Sequence, residues 1–168
     1  MESLLSEFTN VIAAMNSILD ELAEWGLKKQ QLILKGQVEE LERLIKEEHI
    51  CAAKLEKTEG DRFKLQVEIG RRWGIKGGGL MAEKILNKVK EESPSSFSAL
   101  YAAISRLGYN LTRIKAINEH NNELIQQSLD YIKVVETMIN GDTTGIYSNR
   151  GIQPNESKYL ANLLDKKV

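Results

Sequence analysis

The chain of 168 residues holds one cysteine, two prolines and 6% aromatic residues, and each scarcity excludes something. A lone Cys51 cannot close an internal disulfide, and it leaves no basis for a cysteine-ligated zinc site. So little proline and so few aromatics do not suit many short strands joined by tight turns; they favour long helices. Neither sign of charge dominates. With 23 Lys+Arg against 24 Asp+Glu the net charge is −1, so no basic excess points to nucleic acid and no acidic excess to a solvating tail. No apolar run approaches the ~20 residues of a membrane span. The start, Met1-Glu2-Ser3-Leu4-Leu5-Ser6-Glu7, has acids where a secretory signal carries basic residues. The expectation is a cytoplasmic protein in a reducing setting, without stable membrane insertion.

What is present is 42% hydrophobic and 28% charged, enough apolar content for a core. The length fits one domain, or one domain with an appendage. Residues 2–34 carry Leu4, Phe8, Val11, Met15, Ile18, Leu22 and Trp25 at alternating steps of four and three, an a/d seam. Leu5, Ile12 and Leu19 flank it and widen the stripe toward a multi-helix core. Gly26 is an expected soft spot, and Lys35-Gly36 the stop. A second helix is expected from Gln37 to Trp73, with Glu48, Glu59 and Arg62 on its seam. A buried acid–base layer and splayed, solvated helices both fit that polar middle. Gly74-Ile75-Lys76-Gly77-Gly78-Gly79 is the strongest punctuation. A short amphipathic piece follows, then Ser93-Pro94 opens a last helix of about 45 residues, some 65–70 Å long. Its seam runs Phe97, Leu100 or Tyr101, Ile104, Leu107, Leu111, Ile114, Asn118, Asn121, Ile125, Ser128, Ile132, Val135 and Ile139. From Gly141 the pattern stops and a mobile tail is expected, with Tyr159-Leu160-Ala161-Asn162-Leu163-Leu164 able to make one or two amphipathic turns.

The expected fold is all-α: an elongated antiparallel up-and-down helical bundle of three long helices and one short over residues 1–140, with a flexible C-terminal tail over 141–168.

No constellation reads as a catalytic site. His49 and His120 sit on separate helices without the Glu-x-x-His spacing of a bundle di-iron centre. Cys51, in Ile50-Cys51-Ala52-Ala53, reads as a small buried hydrophobe. The glycine run lacks both the Gly-Lys-Ser/Thr of a P-loop and a preceding strand, so it is an inter-helix loop. Helix-dipole placement accounts for Lys28-Lys29 and Arg71-Arg72. No metal and no cofactor are expected.

The amides Asn118, Asn121, Asn122, Gln126 and Gln127, with Ser128, interrupt the long apolar stripe. The residues leave two readings open. Buried amides select one register at a cost in stability. Alternatively the seam is an exposed groove that receives a helix from another protein, with grip from Leu124, Ile125, Leu129 and Ile132.

Several segments resemble the FlgN-type flagellar export chaperones. Lys35-Gly36-Gln37-Val38-Glu39-Glu40-Leu41-Glu42 looks like the start of that family's second helix, and Leu55-Glu56 and Glu59 with Arg62 continue the likeness. Asn121-Asn122-Glu123-Leu124-Ile125-Gln126-Gln127-Ser128-Leu129-Asp130-Tyr131-Ile132 is similar to the family's Asn-x-x-Leu-(Ile/Leu)-x-x-Ser-Leu-x-Tyr-Ile core. Tyr147-Ser148-Asn149-Arg150-Gly151 looks like the Tyr-x-x-x-Gly of its tail. The resemblance implies a non-enzymatic cytoplasmic chaperone of type III flagellar export. Such a chaperone binds C-terminal helical segments of hook-associated proteins, keeps them from assembling early, and delivers them to the export gate. By that carry-over Asn118, Asn121, Asn122, Leu124, Ile125, Ser128, Leu129, Tyr131 and Ile132 face the client, and Tyr147 contacts the gate's cytoplasmic domain. A homodimeric free form is compatible with the same seam. The rival reading is a self-associating coiled-coil adaptor with no client-release cycle.

Overall fold

A computed structural model describes residues 1–75 and 82–140. Four helices account for nearly all of them: α1 (Glu2–Lys35), α2 (Val38–Arg72), α3 (Ala82–Glu92) and α4 (Pro94–Asn140). The described residues contain no strand, and the protein is an all-α helical bundle. Most of the glycine-rich loop (76–81) and the whole expected tail (141–168) lie outside the described residues.

The two long helices at the N-terminal end stop by one device. Gly36 and Gly74 take left-handed φ of 64° and 68°, a region costly for side chains with a Cβ. At the first, Gly36 N–H donates to Ile33 O and Gln37 N–H to Leu32 O. At the second, Gly74 N–H donates to Arg71 O and Ile75 N–H to Gly70 O. Each pair satisfies two carbonyls that the helix end would otherwise orphan. The first stop is tight enough to turn α1 directly into α2, and the two pack as an antiparallel hairpin. Lys29 pairs with Glu48 near the turn, and Cys51 lies against Ile18 further along.

α1 and α4 run parallel, as their matched partners advance together. Ser95 Oγ donates to Glu2, Arg106 and Arg113 reach Asp20, and Asn121 reaches Gly26. By contact the chain divides into Met1–Ile125 and Gln126–Val168, a boundary inside α4. In the first unit Leu4, Leu5, Phe8 and Ile12 of α1 pack with Ile69 of α2, Ile85 and Val89 of α3, and Leu100 of α4. α3 supplies its two buried side chains to this cluster, to which all four helices contribute.

The seams differ from the expected ones. In α1 the most deeply buried residues are Leu5, Phe8, Ile12 and Leu19, with Asn16, Ala23 and Gly26, whereas Val11, Ile18, Leu22 and Trp25 are half-buried. The stripe is centred on the expected flank because α1 packs between neighbours on two sides. In α4 Asn110 is buried and Leu111 is exposed, so the seam is displaced by one residue there. Asn110 bonds to α1, and that contact outweighs the greater hydrophobicity of Leu111. Gly26 does not interrupt α1, and Lys28-Lys29 therefore lie well before its end. Lys28 sits over the Trp25 ring and Lys29 makes the Glu48 pair, so the helix dipole is not what holds them.

Candidate functional site

Three buried asparagines hold α4 in register on α1. Asn16 Nδ2 donates to Ala103 O at 2.9 Å. Asn110 Nδ2 lies 3.3 Å from both Asn16 O and Asn16 Oδ1. Asn121 Nδ2 donates to Gly26 O at 2.8 Å. A buried amide without a partner costs more than its bond returns, so each one penalises every other alignment of the two helices. Gly26 makes the last of these bonds accessible. A Cβ built there would stand 2.6 Å from Ile117 Cγ2, so only glycine lets α4 come this close. The sequence pattern does not single out Asn16, Asn110 or Gly26 as interface residues. Asn16 does carry a signal: it sits four residues after Ile12 and three before Leu19, on the buried stripe.

The residues expected to face a client divide by their burial. Asn121 is only 3% exposed and belongs to the α1–α4 interface, as the register reading holds. Leu124 is half-buried. Asn118 and Asn122 are exposed, and so are Ile125, Ser128, Leu129, Tyr131 and Ile132. Over Gln126–Asn140, in the second unit, the helix displays large apolar side chains to solvent. Leu129 is 47% exposed, Ile132 50% and Ile139 77%. With Ile125 and the half-buried Val135 these positions keep a spacing of three or four, so they form one row along the helix. Single exposed leucines are ordinary; a continuous row is not. Tyr147 lies outside the described residues.

The polar middle of α2 is half-buried and internally paired. Arg62 donates to both carboxylate oxygens of Glu59, at 2.6 and 2.7 Å, and to Gln66. The Arg62 hydrogen bonds hold the Glu59 carboxyl below its ordinary value. Glu48 is engaged across the hairpin with Lys29. Burial, and then the nearby Glu21, push the Cys51 thiol up, which suppresses its thiolate. His49 and His120 are exposed on separate helices, and no cluster of potential metal ligands occurs among the described residues. No helix among them is long and apolar enough to cross a membrane.

A family model described as FlgN protein matches residues 1–155. The chain belongs to the FlgN family. It is a flagellar export chaperone, and FlgN proteins bind flagellar proteins. No curated protein and no solved structure matches it. The FlgN match takes in all four helices and extends into the segment that contains Tyr147.

Proposed function

We propose that the chain captures the C-terminal helical segment of a hook-associated protein on α4, keeps that client unassembled in the cytoplasm, and delivers it to the export gate. The observation that carries this reading is the exposed row Ile125, Leu129, Ile132 and Ile139. An amphipathic client helix laid along it buries its own apolar face, which would otherwise drive self-assembly. Asn118, Asn122 and Ser128 border the row with hydrogen-bonding groups that tolerate small differences in client register. Tyr147 serves as the contact to the gate's cytoplasmic domain, on the strength of the family motif.

The test replaces apolar anchors by polar residues. Leu129→Asp with Ile132→Asp removes two side chains, each worth about 1.5–3 kcal/mol when buried, so client affinity should fall by roughly 100-fold or more. Leu124, Ile125 and Leu129 changed together to serine should likewise abolish co-purification with hook-associated proteins. Circular dichroism should show helicity retained in both. Undiminished client capture sinks the assignment. Tyr147→Ala should leave client binding intact and weaken capture by the gate's cytoplasmic domain; equal gate affinity removes that role.

The same row suits pairing of two free copies, which a client helix would displace. Light scattering reads this directly: the free species should convert to a one-to-one complex with a hook-associated protein. An oligomer that persists in the presence of client counts against capture on this row.

A further inference from the structure

The end of α4 carries a second apolar row, on the other side of the helix from Leu129 and Ile132, and Tyr131, which the family carry-over set among the client-facing residues, stands on it. Tyr131, Val134 and Met138 are all exposed and spaced three and four apart. At about 100° per residue this row lies roughly 145° around the helix from Ile125, Leu129, Ile132 and Ile139. One docked helix covers one such row, not both. Residues 126–140 are the last turns of the 47-residue α4, and a helix end opens most readily where its apolar side chains are uncovered.

We propose that the second row is the docking face for this chain's own residues 158–167. Four of them, Tyr159, Leu160, Leu163 and Leu164, stand at i, i+1, i+4 and i+5, the spacing of one apolar helix face. Lys158, Lys166 and Lys167 outweigh Asp165 within the segment, and Asp130 stands one turn before Val134 beside the row, so the segment's excess charge is opposite to that of Asp130. The intervening stretch of about 18 residues has a root-mean-square span near 25 Å as a flexible chain, ample for return to Val134. Tethering at that length supplies an effective concentration on the order of mM, so a weak contact suffices. The docked segment leaves the Ile125–Ile139 row free and stiffens the helix that carries it.

Hydrogen exchange on the full chain tests this without any client, so its outcome is independent of the client reading. Exchange of the amides in 126–139 should quicken about tenfold in the Leu160→Asp, Leu163→Asp variant, because the helix loses its cover. A second measurement pairs Val134→Cys with Leu163→Cys. Mild oxidation should close a disulfide within one chain, in excess of a control pairing Leu163→Cys with Glu136→Cys, a position equally close to the tether on another face of the helix. Unchanged exchange in the aspartate variant overturns the proposal. So does a Val134–Leu163 disulfide that forms only between chains, which would make a second copy the occupant, or one no more frequent than the control.

Discussion

Gly26→Ala should destabilise the protein, although glycine to alanine inside a helix is ordinarily a gain of about 1 kcal/mol. The new Cβ would stand 2.6 Å from Ile117 Cγ2 and 3.8 Å from Ile117 Cβ. Carbon atoms sit comfortably at roughly 3.5–4.0 Å, so the overlap is about 1 Å. Ile117 cannot swing the methyl aside, because a β-branched residue in a helix keeps essentially one χ1 rotamer. The strain therefore passes to the spacing of α1 and α4. Overpacking of this kind costs about 1–3 kcal/mol. Moving α4 outward also stretches the Asn121–Gly26 bond and exposes a buried amide to a further loss of about 1–3 kcal/mol. Against the propensity gain, a net loss of roughly 1–5 kcal/mol remains. Urea unfolding followed by circular dichroism reads it directly. Gly60 and Gly108 are the controls, being helical with nothing within 4 Å of where an added methyl would stand. Gly60→Ala and Gly108→Ala should each stabilise by about 0.5–1 kcal/mol. Ile117→Ala removes the obstructing methyl, so Gly26→Ala made in that background should lose most of its cost. A Gly26→Ala protein as stable as the parent would refute the close-approach account.

Three further outcomes follow from the interior and the ion pairs, and a fourth from the α1–α4 surface. Cys51, 2% exposed and with its thiol pushed up, should react with a disulfide reagent only as fast as the fold opens, and quickly in denaturant. Glu68, which accepts from Arg71 and Arg72, is held at about 2, and its carboxyl resonance should titrate well below the other glutamates; Arg71→Ala with Arg72→Ala should return it toward 4.5. The Glu59 carboxyl is lowered by Arg62, so the stability it contributes is present above its ordinary value and lost as pH falls through the folded one. Glu59→Gln should therefore lower stability at pH 7 and leave it unchanged in strong acid, as thermal melts at the two pH values will show. Asp20→Asn should loosen the α1–α4 pairing to Arg106 and Arg113 only slightly, by at most about 1 kcal/mol in urea unfolding, since Arg106 is largely exposed, and the loss should shrink in high salt.

Much of the fold is legible in the chain because helix stops are local. Gly36 and Gly74 end their helices through bonds that span only a few residues, and Ser93-Pro94 begins the last helix as its chemistry requires. The seams are less legible, because which member of a wide apolar stripe faces inward depends on the neighbours. Hydrophobicity ranks Leu111 above Asn110 and Val11 above Asn16, yet the asparagines are buried, because each meets a polar group on the opposing helix. Gly26 reads as a weak point in one helix and becomes the place where two helices come closest. Among the client-facing candidates, Asn121 and Asn122 are neighbours of one type, and only packing separates the buried one from the exposed one.

The sequence by itself determined that the protein is helical, where its long helices begin and end, and the family to which its motifs point. Those properties rest on periodicity, glycine stops and short-range spacing, which a linear reading contains. The tertiary structure decided the parallel register of α4 on α1 and the burial of the three asparagines. It also decided which part of the long apolar stripe stays uncovered. The reason is that burial belongs to pairs of surfaces: an apolar row looks the same along the chain whether or not another helix lies against it.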